Sequence, residues 1–346
     1  MEKTELTAEE VQAMFFDKDA LFEAPKKIYR LDYRNDRYYY ILENGDVEFY
    51  ISITNLIQKQ LPTSPHLIKW IAERGIENAD SYKDERAEYG TFLHIQCAEL
   101  LIAGKYNLDL LGYSWEKYLV EKNLPLQWIK KYSNELSKDV LSFAQFCKDY
   151  DVKPMAVEIA LVSKHGFACT TDIICEMNDK LYTEKTKQSD RKRITSVVDI
   201  KSGKKGFYEA HVIQLHACKI AVEENFKKIK IDRVFNWSPS DWKDEPTYKL
   251  KDQTDNKSKN KLSHILRLQD IDSQDSENRA IIIEGTIDLQ KELTSNYSNK
   301  TYKEIILSKI SNHESKNPKR KPGSKKQAPN TRKNKSRTKT RGEKLS

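Results

Sequence analysis

The stretch Ser196-Val-Val-Asp199-Ile-Lys201-Ser-Gly203 constrains the fold of this chain more than any other. Its β-branched residues favour a strand, in which residues two apart share a face. Asp199 and Lys201 then stand side by side on one surface, while Val198 and Ile200 point into a core. A core strand carrying an acid and a base is costly unless both are partnered or both have a task. Upstream, Gly166-Phe-Ala-Cys-Thr-Thr-Asp172-Ile-Ile reads as a neighbouring strand that brings a second acid into apolar company. Two carboxylates and an ammonium at one sheet edge suit divalent-metal hydrolysis of a phosphodiester. The acids hold Mg²⁺, and the lysine stabilises charge or orients the attacking water.

The chain is long enough for one large α/β domain with extensions: 346 residues, 38% of them hydrophobic. Its formal charge of +8 is unevenly placed. Residues 315–346 hold 13 Lys/Arg against the single acid Glu343, a net of +12, which leaves −4 on the rest. Any polyanion bound by the folded part therefore needs a local groove. Cys97, Cys147, Cys169, Cys175 and Cys218 form no CxxC pair and read as mostly buried thiols of a reducing compartment. Met1-Glu-Lys-Thr-Glu does not resemble a signal peptide, and no run approaches the length of a membrane span. The expectation is a soluble, cytosolic protein without a membrane partner.

Along the chain, residues 7–22 suggest an amphipathic helix capped by Thr7. Strands follow at 28–31, 38–42 and 47–52, with Glu43-Asn-Gly-Asp as a turn. Residues 51–80 are helical apart from Leu61-Pro-Thr-Ser-Pro. A new helix is expected from Gly90-Thr91, capped by Thr91 and carrying His94 inward with Ala98 and Leu101. Two more helices are expected over 114–150. Ala156-Val-Glu158-Ile-Ala-Leu-Val precedes the two acid-bearing strands, and a charged loop over 178–193 separates them. A helix at 207–226 places Tyr208, His211, Gln214 and Cys218 on one face. Ile231-Asp-Arg-Val-Phe-Asn-Trp is expected at a sheet edge. Residues 250–282 suggest loops with a short helix, and 281–312 a strand–helix pattern. Beyond His313 almost nothing is apolar, so disorder is expected.

Each candidate has a plainer reading. An inward histidine can be a satisfied core residue, Asp172 a strand-end cap, Asp199 with Lys201 a half-buried ion pair, and the tail a solvated extension. Their order along the chain adds weight. Ser52-Ile-Thr54, Gly90-Thr91-Phe-Leu-His94, Glu158, Thr171-Asp172-Ile-Ile, Val198-Asp199-Ile-Lys201-Ser-Gly203 and Tyr208…Gln214-Leu215 follow one another over residues 50–240. That series resembles the RecB-like branch of the PD-(D/E)xK nuclease superfamily, and its layout is similar to phage exonucleases and the mitochondrial genome maintenance exonuclease.

The resemblance implies a mixed central β-sheet flanked by helices, the restriction-endonuclease-like α/β core, with an N-terminal helical layer and a basic tail. It divides the chain into a strand and helix region (1–89), the nuclease core (90–245), a C-terminal extension (246–313) and the tail (314–346). It makes Asp172 and Asp199 the carboxylates that bind Mg²⁺ or Mn²⁺, with the carbonyl of Ile200 and the imidazole of His94 as further ligands. Lys201 becomes the catalytic lysine. Glu158 stands behind the ligands, with direct ligation open, and Gln214 touches the scissile phosphate or braces Lys201. Thr91, Tyr208, Lys204 and Lys205 are placed for DNA contact. Three features depart from the family pattern: Cys218 where a tyrosine is common, Cys169-Thr-Thr where glycines precede the acid, and 27 residues between Asp172 and Asp199. Some relatives hold an iron–sulfur cluster through three cysteines after the core. No cysteine follows Cys218, so no cluster is expected.

The implied partners are linear DNA, through ends or single strands, and replication or recombination proteins, in a host cytoplasm if the chain is phage-encoded. Two alternatives stay open. One is a structure-specific or restriction-type endonuclease, and the other a catalytically weak DNA-binding protein that keeps the fold.

Overall fold

The computed structural model describes residues 28–33, 36–43, 46–204, 206–275, 279–283, 286–288, 290, 297–301, 304 and 308. The expected helix over 7–22, most of the helical pattern near Ile306 and the tail beyond 313 lie outside them. The chain divides into two compact units, one ending at Asn278 and one starting at Arg279. In the second unit, β9 (Arg279–Ile283) and β10 (Tyr297–Thr301) pair antiparallel.

The first unit is α/β, built on an eight-stranded mixed sheet. Its strands are β1 (Ile28–Tyr33), β2 (Asp36–Glu43), β3 (Asp46–Ser52), β4 (Lys153–Val162), β5 (Phe167–Asn178), β6 (Arg193–Ile200), β7 (Arg233–Pro239) and β8 (Tyr248–Asp252). The order is β1-β2-β3-β5-β6-β7-β8, with β4 also on β5. β3 with β5 and β6 with β7 are parallel, and the remaining pairs are antiparallel.

The site lies where this sheet forks. Ala168 pairs with both Val162 and Ser52, whereas Ile173 pairs with both Val157 and Val198. β3 and β6 therefore share the edge of β5 that faces away from β4, one at each end. Between them, Cys169, Thr170, Thr171 and Asp172 have no strand partner on that edge. Other groups fill the gap: Tyr39 Oη and Thr170 Oγ1 lie 2.9 Å apart, and the Cys218 thiol points at the Thr170 carbonyl.

Helices cover both faces of the sheet, in keeping with strands that are apolar on alternate residues to either side. On one face, α1 (Ile53–Gln60), α6 (Glu209–Asn225) and α7 (Lys261–Asp275) enclose Ile174, Val197 and Val234. On the other, α3 (Ile76–Ala103), α4 (Leu111–Glu121) and α5 (Gln127–Asp149) enclose Ile173, Val198, Ile200 and Trp237. α2 (Pro65–Arg74) starts with Pro65 in its first turn and Ser64 Oγ accepting from the Leu67 N–H, but buries none of its residues. Among the described residues, no helix is long and apolar enough to cross a membrane. All five cysteines are free thiols.

Two expectations need correction. The helix carrying His94 does not begin at Gly90, because α3 runs unbroken from Ile76 to Ala103. Thr91 caps nothing there, and its hydroxyl donates back to the Ala87 carbonyl at 3.0 Å. Gly90 inside a helix costs about 1 kcal/mol against alanine. Its lack of a side chain lets the helix approach the chain after β6: a Cβ at this position would meet Ser202 Oγ at 3.0 Å. Similarly, Arg233–Pro239 is not an edge strand, since β8 pairs along its outer side.

Candidate metal centre

Asp172 sits where β5 loses its strand partner, so its carboxylate takes over the missing ladder contact. Its Oδ2 accepts from the Ile200 N–H at 2.7 Å, which holds the last residue of β6 against the fork. Glu158 stands directly across β4–β5 from Asp172, and the pairing passes over it between Val157 and Ile159. Its φ of 50° explains the break. A non-glycine residue rarely adopts this conformation, which costs about 1–3 kcal/mol. The turned backbone sends the Glu158 carboxylate to the site.

His94 arrives from α3. Its Nδ1 lies 3.2 Å from Glu158 Oε1 and 3.7 Å from Asp172 Oδ2, and its Nε2 lies 3.0 Å from the Ile200 carbonyl. Ligand atoms of His94, Glu158 and Asp172 all fall within 4.8 Å of one another. One nitrogen and several oxygens form a donor set that Mn²⁺ and Mg²⁺ accept, and the imidazole favours Mn²⁺ of the two.

Asp199, expected as the second carboxylate on the ion, is adjacent but lies outside the group formed by His94, Glu158 and Asp172, and both of its oxygens are engaged by other partners. Its Oδ1 accepts from Lys201 Nζ at 2.8 Å and its Oδ2 from Asn236 Nδ2 at 2.7 Å. Lys201 also reaches Gln214 Oε1 on α6 at 3.5 Å. His211, one turn before Gln214, accepts at Nδ1 from the Tyr208 N–H at 3.3 Å.

Charge explains how these groups coexist. Burial pushes the Asp172 carboxyl up; His94 opposes this and Glu158 adds to it. Asp199 is likewise raised by burial and partly relieved by Lys201. Burial disfavours the Lys201 ammonium, but Asp199 and Asp172 outweigh it, so the lysine stays charged. Burial also works against the His94 imidazolium, yet Asp172 and Glu158 lift it to about 9. His211 moves the other way, to about 4, through burial and the nearby Lys201 cation.

Without metal, the His94 proton supplies part of the positive charge that the carboxylates require. A metal ion and that proton compete for the same imidazole. Below pH 9 each bound Mn²⁺ should therefore release about one proton, and apparent affinity should rise about tenfold per pH unit before levelling off above His94's value. Calorimetric titration in two buffers of different ionisation enthalpy measures the proton count. Metal binding with no proton release would place the ion away from His94.

The other expected contacts are distributed unevenly. Thr91 is exposed one turn before His94, and Tyr208 is exposed with its ring edge-on to His211 at 5.3 Å. Lys204 corrects the expectation of a cation held out to DNA. Its ammonium is taken by Asp241 at 2.9 Å and by Glu135 and Asp139 at 3.4 Å each. It ties the chain after β6 to α5, while Arg86 on α3 reaches the Ser202 carbonyl at 3.5 Å. Lys205 lies outside the described residues.

Asn236 joins the site through the structure, by its contact with Asp199. An amide within the apolar run Val234-Phe-Asn-Trp is the same kind of signal that marked Asp199, a polar group in a core strand. A scan of the chain against protein-family models finds no match, and a search of curated proteins finds none.

Proposed function

We propose that the protein is a metal-dependent DNA exonuclease of the RecB-like type, with a restriction-endonuclease-like core, acting on linear DNA in the cytoplasm. One observation carries the reading: His94, Glu158, Asp172 and the Ile200 carbonyl meet at a fork in the sheet, next to an ammonium held by Asp199 and Gln214. A plain structural ion pair needs neither the histidine from the opposite layer nor the strained glutamate.

His94 through Nδ1, with Glu158 and Asp172, would hold Mg²⁺ or Mn²⁺. The Ile200 carbonyl, expected as a ligand, lies instead at His94 Nε2, where it would orient the imidazole. When bound, the ion supplies Lewis-acid stabilisation of charge on the phosphate and lowers the pKa of water. The remaining work falls to the protein. Lys201 keeps its proton on Nζ and presents a cation beside the site, so it offsets charge that develops on the phosphate oxygens. Asp199 and Gln214 fix the direction of that cation. Asp172, through the Ile200 N–H, keeps the end of β6 in place. Tyr208 offers an exposed ring beside His211 for a base or sugar, and Thr91 an exposed hydroxyl on the α3 side.

End-labelled linear DNA, single- and double-stranded, with a circular control, tests this reading. The expected result is Mg²⁺- or Mn²⁺-dependent release of nucleotides from linear DNA and an intact circle. Cleavage of the circle would make the protein an endonuclease. No cleavage, with DNA still bound, would leave a binding protein that keeps the fold.

The tail contributes separately through charge. If about half of the 13 cations in residues 315–346 neutralise phosphates, deleting them should reduce the slope of log K against log salt by about 5. Binding isotherms at several salt concentrations give that slope. An unchanged slope would mean that the tail does not touch DNA.

A further inference from the structure

We propose that Asn236 and Gln253 form a buried amide relay that positions Asp199, and through it Lys201; this rests on the nuclease reading above. In the parallel register of β6 and β7, Asn236 stands level with Asp199. Asn236 has no exposure and Gln253 only 3%. Asn236 Nδ2 donates to Asp199 Oδ2 at 2.7 Å, Gln253 Nε2 donates to Asn236 Oδ1 at 3.1 Å, and Asn256 Nδ2 donates to Gln253 Oε1 at 2.8 Å.

The direction of this chain is fixed by its end. An ionised carboxylate only accepts, so Asn236 must turn its NH₂ to Asp199 and its oxygen to Gln253, which in turn must offer its own NH₂. The Gln253 backbone is pinned as well, its N–H donating to the Val234 carbonyl and its carbonyl accepting from His216 Nε2, both at 2.9 Å. Each side-chain amide of the relay therefore donates towards Asp199. With Oδ2 engaged, Oδ1 is left for Lys201 at 2.8 Å, and the carboxylate cannot rotate.

An apolar residue between Phe235 and Trp237 would need no partner, whereas a buried amide costs roughly 1–3 kcal/mol wherever it is left unpaired. The amide is instead matched to the carboxylate that carries the lysine. Asn236 touches neither the proposed ion site nor Lys201, so it acts as a positioning residue.

The test uses the full chain with Asn236→Ala, and Gln253→Met in case the first variant does not fold. Asn236→Ala should lower kcat by about 10- to 100-fold and leave KM for DNA unchanged; Gln253→Met should give a smaller fall in the same direction. In the metal-free protein, Lys201 should become severalfold more reactive towards an amine-labelling reagent, read by peptide mass spectrometry. Folded variants with wild-type kcat and wild-type Lys201 reactivity would overturn the relay, even if their melting temperature fell. If wild type itself does not cleave DNA under Mg²⁺ or Mn²⁺, the nuclease reading fails and the relay with it.

Discussion

Asp172→Asn is expected to abolish metal-dependent cleavage while leaving a folded protein. The substitution keeps an oxygen to accept from the Ile200 N–H, so the 2.7 Å contact that closes the end of β6 can persist. It removes a negative charge from a group already raised by burial and by the neighbouring Glu158. The apo fold therefore loses little: burial and Glu158 already disfavour the charge, and only its attraction to the His94 imidazolium is given up. Activity responds differently. An ion held by one charge fewer is bound more weakly, and its stabilisation of the transition state is worth several kcal/mol, so the rate should fall on the order of 10³-fold. Single-turnover cleavage measures the rate and thermal unfolding the fold. Asp172→Ala is the less informative variant, since it also leaves the Ile200 N–H without its partner, at about 1–3 kcal/mol.

Lys201→Ala should separate catalysis from metal binding. The lysine faces Asp199 and Gln214 rather than the His94–Glu158–Asp172 group, so removing it deletes no metal ligand. Removing a positive charge beside the site should leave Mn²⁺ affinity at least as tight as in wild type. Turnover should drop by about 10²–10³-fold, the loss seen when one preorganised charge-stabilising group is deleted. The variant should also melt earlier, because Asp199 is then a buried carboxylate that, among the described residues, keeps the Asn236 amide but no cation at its oxygens. Loss of Mn²⁺ binding in a folded Lys201→Ala protein would make the lysine a structural element of the ion site instead.

Much of the site was legible because it depends on short-range periodicity. Asp199 and Lys201 announce themselves as polar residues two apart in a β-branched run, and the i, i+4 and i+7 spacing from His94 turns the imidazole inward. What the sequence did not disclose depends on distant contacts or on backbone conformation. The left-handed turn at Glu158 leaves no local signal, since glutamate is an unlikely residue for it. The unbroken α3 was concealed by Gly90, which reads as a helix boundary until Ser202 is known to need the space. β7 looked like an edge because β8 is short and rich in lysine and aspartate, although Tyr248 and Leu250 do alternate. Lys204 looked free because Glu135, Asp139 and Asp241 lie far from it in sequence.

The dependence of cleavage rate on Mn²⁺ concentration, measured on end-labelled linear DNA alongside calorimetric Mn²⁺ binding, tests the metal centre most directly. The expected result is a rate that is zero without the ion and saturates at the calorimetric dissociation constant, with both curves moved to higher Mn²⁺ in His94→Ala and less so in Gln214→Ala. Cleavage that proceeds equally in chelator, or a His94→Ala variant that binds Mn²⁺ as tightly as wild type, would contradict it.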